Sequence, residues 1–500
     1  MRDITSRTQM QQIDAYSIEN IGIPGIVLME RAALAMEEEV IKRFSPQTSI
    51  LIVTERGNNG GDGLALARLL LARGYRVRIY EIGGVKKASE SYEIQSRILK
   101  NLGISVEDSL PEDSFDVIID AIFGVGLTRD VRGIQAQVIE ELNKRKAYRI
   151  ALDLPSGISA DSGQILGCAF QADLTITVGL SKIGLELYPG ASYAGQIVVK
   201  DIGFPIQAVK KVAPSAYTYQ KEDLERLPKR KAWSNKGSYG KVLMIAGSKN
   251  MAGAASLCGQ AAYRSGSGLV RIFTCEENRQ ILQTLLPEAI LTTYCSEEDA
   301  LAKLPEAIGW ASVIGFGPGL GLSDLTLRML DVLQKEAQVP LVIDADGMNA
   351  LSKAKSADME SWKGIPSYTH GIIYTPHLME MSRFCGRSVS QIKKELIKTA
   401  KEYGNENHIM VLKDARTIVS DGADPTYINT SGNHGMSVGG SGDVLTGIIC
   451  GLLAEGAGLA EAARLGVYCH GLAGDEAAKE TGYHGLLARD LLKGIGKVLP

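Results

Sequence analysis

The five residues Gly439-Gly440-Ser441-Gly442-Asp443 stand directly before an apolar, helix-patterned stretch from Val444 to Leu453. Glycines at a helix N-terminus leave backbone N–H groups uncovered, at the positive end of the dipole that receives a phosphate or a developing oxyanion. Gly440, Ser441 and Gly442 would form that anion hole. Asp443 beside it would be repelled by bound phosphate unless it has chemical work, such as taking the proton of a hydroxyl that attacks a phosphoryl group. The run reads as a phosphoryl-transfer site; a tight turn whose aspartate caps the next helix is the alternative.

A second constellation lies far upstream, in the loop Gly57-Asn58-Asn59-Gly60-Gly61-Asp62-Gly63. It lacks the GxGxxG spacing of a dinucleotide-binding turn, and Asn58, Asn59 and Asp62 add acceptors that a pure phosphate cradle would not need. Acceptors imply a cation or a polar ligand. Asp120 follows the apolar run DVII and Asp153 follows RIAL, so both are expected at the same sheet edge as the loop, beside the turns Phe123 to Gly133 and Leu154 to Gly157. All six histidines lie at or after His370, so acid–base chemistry in the first two-thirds must use Asp, Glu, Lys, Tyr or water.

The elements that must hold these residues can be read from periodicity. Strands are expected at Ile50–Thr54, Arg76–Glu81, Asp116–Ile122, Arg149–Leu154, Leu174–Val178 and Gln196–Asp201, with the amphipathic helix GLALARLLLARG after the first and Gly74 at its stop. Residues 8 to 43 read as one or two helices packed on that sheet. Alternation of apolar strands with helices implies a largely parallel sheet covered on both faces. From Gly203 to about residue 237 prolines and charge clusters break the pattern as a linker does, and it resumes at Lys241–Ala246, Leu269–Thr274, Ser312–Gly317, Leu341–Asp344, Ile372–Thr375, Ile409–Lys413 and Thr417–Ser420. The expected fold is α/β in two domains, 1–215 and 216–500.

Composition narrows the class. At 500 residues the chain exceeds one ordinary core, and a formal net charge of −3 argues against nucleic-acid binding. No run of about 18 uncharged apolar residues is present, so no membrane span is expected. Seven cysteines without CxxC spacing form neither a disulfide framework nor a zinc pattern, and a cytoplasmic location is the simplest expectation.

The blocks GNNGGDG, DAIFGVGLTRDVRG and DLPSGISADSG, in that order, resemble the NAD(P)H-hydrate epimerase family over roughly residues 10 to 210. The resemblance implies a Rossmann-like three-layer sandwich whose ligand is the hydrated nicotinamide cofactor. It implies substrate contacts from Asn58, Asn59, Gly60, Gly61 and Asp62 and from Gly124, Val125, Gly126, Leu127, Thr128, Arg129 and Asp130. It also implies Asp153 as substrate-binding and proton-transferring, and Asn59, Asp120 and Ser156 as potassium-site positions. Where the family has a MENAG-like sequence this chain has MERAA, with Arg31 in the place of Asn.

GSYGKVLMIAGS, GFGPGLG, DADGMNAL, KDART and GGSGDVLTG resemble the ribokinase-like superfamily over roughly residues 225 to 500, and within it the ADP/ATP-dependent NAD(P)H-hydrate dehydratases. By that resemblance Ala254, Gly319, His377 and Asp443 face the hydrate. Lys413, Asp414, Ala415, Arg416, Thr417 and Gly442 hold the adenine nucleotide, ADP or ATP. Magnesium is expected to neutralise the phosphates, with Asp344 and Asp346 as its acidic candidates. TPHLMEM replaces the family's TPHPGEM, placing Leu378 where proline is usual, and His434 likewise stands where proline is common.

The combined expectation is a bifunctional repair enzyme acting on NADHX and NADPHX, a homo-oligomer, with an epimerase feeding an S-specific, nucleotide-driven dehydratase. The alternatives are a vitamin-type small-molecule kinase, which the same GGSGD chemistry permits, and a non-catalytic N-terminal binding module for a ligand or a protein.

Overall fold

The apolar run Ile50-Leu51-Ile52-Val53 lies in the strand Ser49–Thr54 (β1), and because strand side chains alternate between faces, burying all four requires cover on both sides. The computed structural model, which describes residues 1–83, 87–359 and 365–499, supplies it. Ile50 and Ile52 pack with Ala32, Met36 and Val40 of helix α1 (Gly25–Ile41) and with Leu64, Ala67 and Leu70 of helix α2 (Asn58–Ala72). Leu51 and Val53 pack on the opposite face with Val138, Ile139 and Leu142 of helix α3 (Ile134–Lys144).

Strands β2 (Arg76–Glu81), β3 (Val117–Ala121), β4 (Tyr148–Leu152), β5 (Leu174–Val178) and β6 (Gln196–Lys200) complete a parallel sheet in the order β2-β1-β3-β4-β5-β6. The order reverses between β1 and β3, so the loops leaving those strands diverge and open a crevice at their carboxyl ends. One boundary differs from expectation. Asn58 to Gly63 are helical, not loop, because Gly60 lets the first turn of α2 press on the preceding chain: a Cβ there would lie 1.7 Å from the Glu55 carbonyl oxygen.

The second unit repeats the logic. Strands β7 (Lys241–Ile245), β8 (Leu269–Cys275), β9 (Ile290–Tyr294), β10 (Val313–Phe316), β11 (Leu341–Ile343), β12 (Ile372–Tyr374) and β13 (His408–Leu412) are parallel in the order β9-β8-β7-β10-β11-β12-β13. Strands β14 (Ile418–Ser420) and β15 (Thr426–Ile428) extend it antiparallel. The order reverses between β7 and β10, again opening a crevice at their carboxyl ends. Helices α4 (Ala252–Arg264), α5 (Asp346–Ser356), α6 (Leu378–Cys385), α7 (Ser441–Ala454) and α8 (Leu459–Gly485) bear on the site. Every residue of α7 from Val444 to Leu453 is buried. Gly447 allows its close contact with α4, since a Cβ there would lie 2.2 Å from the Cys258 carbonyl oxygen.

The chain divides into two compact units, Asp3–Ala216, and Met1–Arg2 with Tyr217–Pro500. Met1 and Arg2 thus depart from the expected 1–215 grouping, and the Met1 ammonium pairs with Asp223 at 2.6 Å. The expected linker is instead ordered: it contains the helix Ile206–Val212, the strand Ala216–Thr218 and the 3-10 helix Lys221–Arg226. Tyr217 and Tyr219 account for the last part, because both are buried in the second unit's core and stack near Tyr427. Strands β9, a half-exposed edge, and β15, three residues paired antiparallel with β14, were not among the expected strands. Among the described residues no helix is long and apolar enough to cross a membrane.

Candidate active sites

The crevice of the first unit is a cavity of roughly 470 Å³ at the carboxyl ends of β1 and β3. Asn58, Asn59 and Asp62 line it from α2, Gly124 to Arg129 from the loop after β3, and Asp153 from just beyond β4. Lys182 and Asp14 also line it. Asp153 adopts a φ of 67°, the left-handed region that a non-glycine residue enters at a cost. Its carboxylate is gripped there: Lys182 Nζ donates to Asp153 Oδ1 at 2.5 Å, to Thr177 Oγ1 at 2.7 Å and to the Val178 carbonyl at 2.8 Å. The Lys182 side chain is fully buried.

Asn59 is buried, and neither its Oδ1 nor its Nδ2 has a hydrogen-bond partner. A buried amide with both ends unmatched is costly and marks a place for a ligand. The carboxyl of Asp62 likewise has no hydrogen bond or ion pair among the described residues. Burial pushes its pKa well above the usual carboxylate range, Asp153 and Asp14 add to the rise, and Lys182 offsets only part of it.

Asp120 and Ser156 are not in the wall of this cavity, although Ile122 and Phe123, to which they are bonded, are. Ser156 donates to Asp120 from its hydroxyl and from its N–H, each at 2.7 Å, and the Ile122 N–H adds a third bond at 3.1 Å. Burial raises Asp120 to about 6 in spite of those donors. Three other expected contacts are also outside the wall. Gly60 and Gly61 pack against Glu55 and Met29, and Asp130 is exposed and paired with Arg132.

In the second unit α7 begins without a side-chain cap at Gly440, so the helix includes Ser441, Gly442 and Asp443, which sequence placed before it. The Ser441 N–H is spent on the Val438 carbonyl at 3.3 Å, which leaves Gly442 and Asp443 as the open donors of the turn. Of the expected hole, Gly440 to Gly442, Ser441 is the member whose N–H is engaged. Beneath it sits Lys413: a Cβ on Gly442 would lie 3.3 Å from Lys413 Nζ. Lys413 donates to Asp344 Oδ1 at 2.6 Å, and Thr446 of α7 donates to Asp344 Oδ2 at 2.8 Å. Desolvation lowers the pKa of Lys413, but Asp344, Glu380 and Asp443 outweigh it and the net shift is upward. Asp443 is raised to about 7 by burial first and by Asp344 and Asp346, against Lys413.

Ala254 and Gly319 meet across the crevice, where a Cβ on Gly319 would lie 2.8 Å from that of Ala254. His377 pairs along the strand edge with Lys413 and caps α6, its Nδ1 accepting from Met379 and Glu380 N–H groups at 3.1 and 3.3 Å. Its Nε2 lies 3.1 Å from Glu380 Oε1. Replacement of the usual Pro-Gly by Leu378-Met379 therefore keeps a donor at this turn. Asp414 to Thr417 follow β13, with Arg416 donating to the Thr430 carbonyl at 2.9 Å. Asp344 is committed to Lys413 and Thr446, and Asp346 accepts from the Gly321 N–H at 2.8 Å.

Sequence reading missed Lys182, Asp14, Thr446, Glu380 and His470. His470 lies in α8, with Nε2 3.0 Å from the Ser441 carbonyl, and burial lowers it to about 4. Lys182 stands 29 residues from Asp153 with no motif around it, and a lone lysine or histidine in an apolar stretch carries no signal of its own.

The profile of the NAD(P)H-hydrate dehydratase family matches residues 242–497, and that described as YjeF-related protein N-terminus matches residues 25–184. The chain is 35% identical to a bifunctional NAD(P)H-hydrate repair enzyme of Thermofilum pendens, over 98% of this chain and 95% of that one. It is 36% identical to one of Moorella thermoacetica, over 99% and 96%. A ribokinase-like superfamily protein of Enterococcus faecalis superposes with a TM-score of 0.50 at 28% identity, over 57% of this chain and 95% of that one.

Proposed function

The chain belongs to the bifunctional NAD(P)H-hydrate repair enzymes, and from that membership we propose that its epimerase site is the cavity around Asn59 and Asp153 and its dehydratase site the crevice around Asp443. The enzyme interconverts the R and S hydrates of NADH and NADPH and dehydrates the S form. The nucleotide co-substrate, ADP or ATP, leaves as AMP or ADP with phosphate. A cytoplasmic homo-oligomer is part of the same reading.

One observation carries the dehydratase assignment: a raised, ionisable Asp443 in the first turn of an uncapped helix, beside two open N–H groups and above Lys413. Asp443 accepts the ring-hydroxyl proton as that oxygen attacks the terminal phosphoryl group, and the Gly442 and Asp443 N–H groups take up the transferred charge. The ring nitrogen lone pair then expels the phosphate, and loss of a neighbouring ring proton restores the dihydronicotinamide. Asp344 holds Lys413 for this role, while Asp414 to Thr417 contact the nucleotide and Ala254, Gly319 and His377 the hydrate. Magnesium would neutralise the charge of the nucleotide phosphates. Asp346, whose oxygens accept only from amide N–H groups of Gly321 and Asn349, fits it better than Asp344, which is paired with the Lys413 ammonium and Thr446.

In the epimerase cavity Asn59, with its unmatched buried oxygen, fits an oxygen-ligated potassium ion, for which Asp120 would supply the negative charge. The ion would supply electrostatic anchoring for the substrate. Asp153 acts in proton transfer, and Asn58 and Gly124 to Arg129 contact the hydrate.

The test is to incubate pure R hydrate with the protein, with and without ADP or ATP, and follow dihydronicotinamide absorbance. Recovery that requires nucleotide is expected. Accumulation of a phosphorylated product without recovery would favour a kinase.

A further inference from the structure

Asp62 and Asp153 face one cavity in opposite company. Asp153 has a fixed cation, and Lys182 spends all three ammonium donors on Asp153, Thr177 and Val178. With no donor to spare, Lys182 is a fixed positive charge bonded to Asp153. Asp62 has nothing comparable: its carboxyl meets no donor or cation at hydrogen-bond distance among the described residues. Asp14 and Asp153 add like charge from two other elements, and Lys182 offsets only part of it. An unpartnered, buried carboxyl in that setting is favoured in its protonated form. A carboxyl without a donor and a carboxylate bonded to a lysine in one pocket form the division of labour that acid–base catalysis requires.

We propose that Asp62 is a second catalytic residue of the epimerase, acting as general acid against the Asp153–Lys182 pair as base. The inference rests on the epimerase reading of this cavity. Inversion at a carbon that carries a hydroxyl and adjoins the ring nitrogen must break and remake a bond to that carbon. Asp62 gives its proton to the hydroxyl, and the C–O bond breaks with its electron pair leaving as water. The nitrogen lone pair closes a C=N bond, leaving a ring iminium. Water arriving at the opposite face then adds to the carbon, the C=N electrons return to nitrogen, and the surplus proton passes to Asp153. The forward step leaves Asp62 ionised and Asp153 protonated, which is the state the reverse inversion needs. One pair of carboxyls therefore serves both directions.

Two measurements test this. In 18O-labelled water without nucleotide, each inversion by the wild-type protein is expected to place one labelled oxygen in the ring hydroxyl; inversion that retains the original oxygen overturns the proposal. Asp62→Asn should lower kcat for epimerisation about 100-fold or more with KM little changed, since it keeps the shape but holds no transferable proton. Asp62→Glu should recover part of the rate. An Asn variant at wild-type kcat, or a loss confined to KM, overturns the assignment. If the wild-type protein does not interconvert the hydrates, the epimerase reading itself fails, whereas wild-type inversion with an active Asn variant sinks only the role of Asp62.

Discussion

Asp443 illustrates how burial prepares a side chain for its chemistry. A carboxylate with an ordinary pKa is a poor base, and one raised to about 7 is both ionised in part and basic enough to take a hydroxyl proton. The ionised form is the active one, so kcat/KM for dehydration should fall about tenfold per pH unit below that value and level off above it, as a pH profile of the wild-type enzyme would register. Asp443→Asn should reduce dehydration about 100-fold or more while nucleotide binding persists, because the N–H groups and Lys413 remain. Nucleotide affinity by calorimetry and turnover by absorbance separate the two effects. In the other site Asp120→Ala removes the carboxylate proposed to neutralise the ion, and it should weaken epimerisation together with its response to potassium. An unchanged potassium titration would remove Asp120 from the ion's surroundings.

At the scale of elements, each site depends on a helix start pressed against its neighbours. The first turn of α7 is placed by the contact of Gly447 with α4, and one turn carries both Asp443 and Thr446, the latter pinning Asp344. Gly447→Ala would drive a Cβ into the Cys258 carbonyl, against which a helix backbone has little room to yield. Overpacking of this kind costs about 1–3 kcal/mol, so a lowered melting temperature is expected. Dehydration should suffer more than epimerisation, because the displaced helix carries only the dehydratase residues. The corresponding contact in α2 is that of Gly60 with Glu55, which sets Asn59 and Asp62 toward the cavity.

For the whole molecule, two compact units with separate cores and separate crevices imply that the activities can be removed one at a time. Asp153→Asn should leave repair of pure S hydrate intact and slow repair of the R form to its spontaneous epimerisation rate. Asp443→Asn should stop repair of both. The asymmetry follows from order, since the epimerase only supplies the form that the dehydratase consumes. Equal impairment of R and S repair in a folded Asp153→Asn protein would mean that the two sites are not independent.

The glycine-rich turns, the aspartates at strand ends and the alternation of apolar strands with helices were legible from the chain alone, because each depends on local periodicity or on a short run of residues. Asp443, Asn59 and Asp153 stood out as candidates for the proposed sites, since each stands inside a motif. The surroundings of those groups were not legible: burial and neighbours remote in sequence set them, as Lys182 bonds Asp153 and as burial and Asp344 raise Asp443. Nor could the chain alone show that Asp120 and Ser156 are bonded to each other outside the cavity wall, or that Tyr217 and Tyr219 enter the core of the second unit. Spacing along a chain reports what a segment can form by itself. Which side chains lose water, and which charges then face one another, is decided only when distant segments close over them.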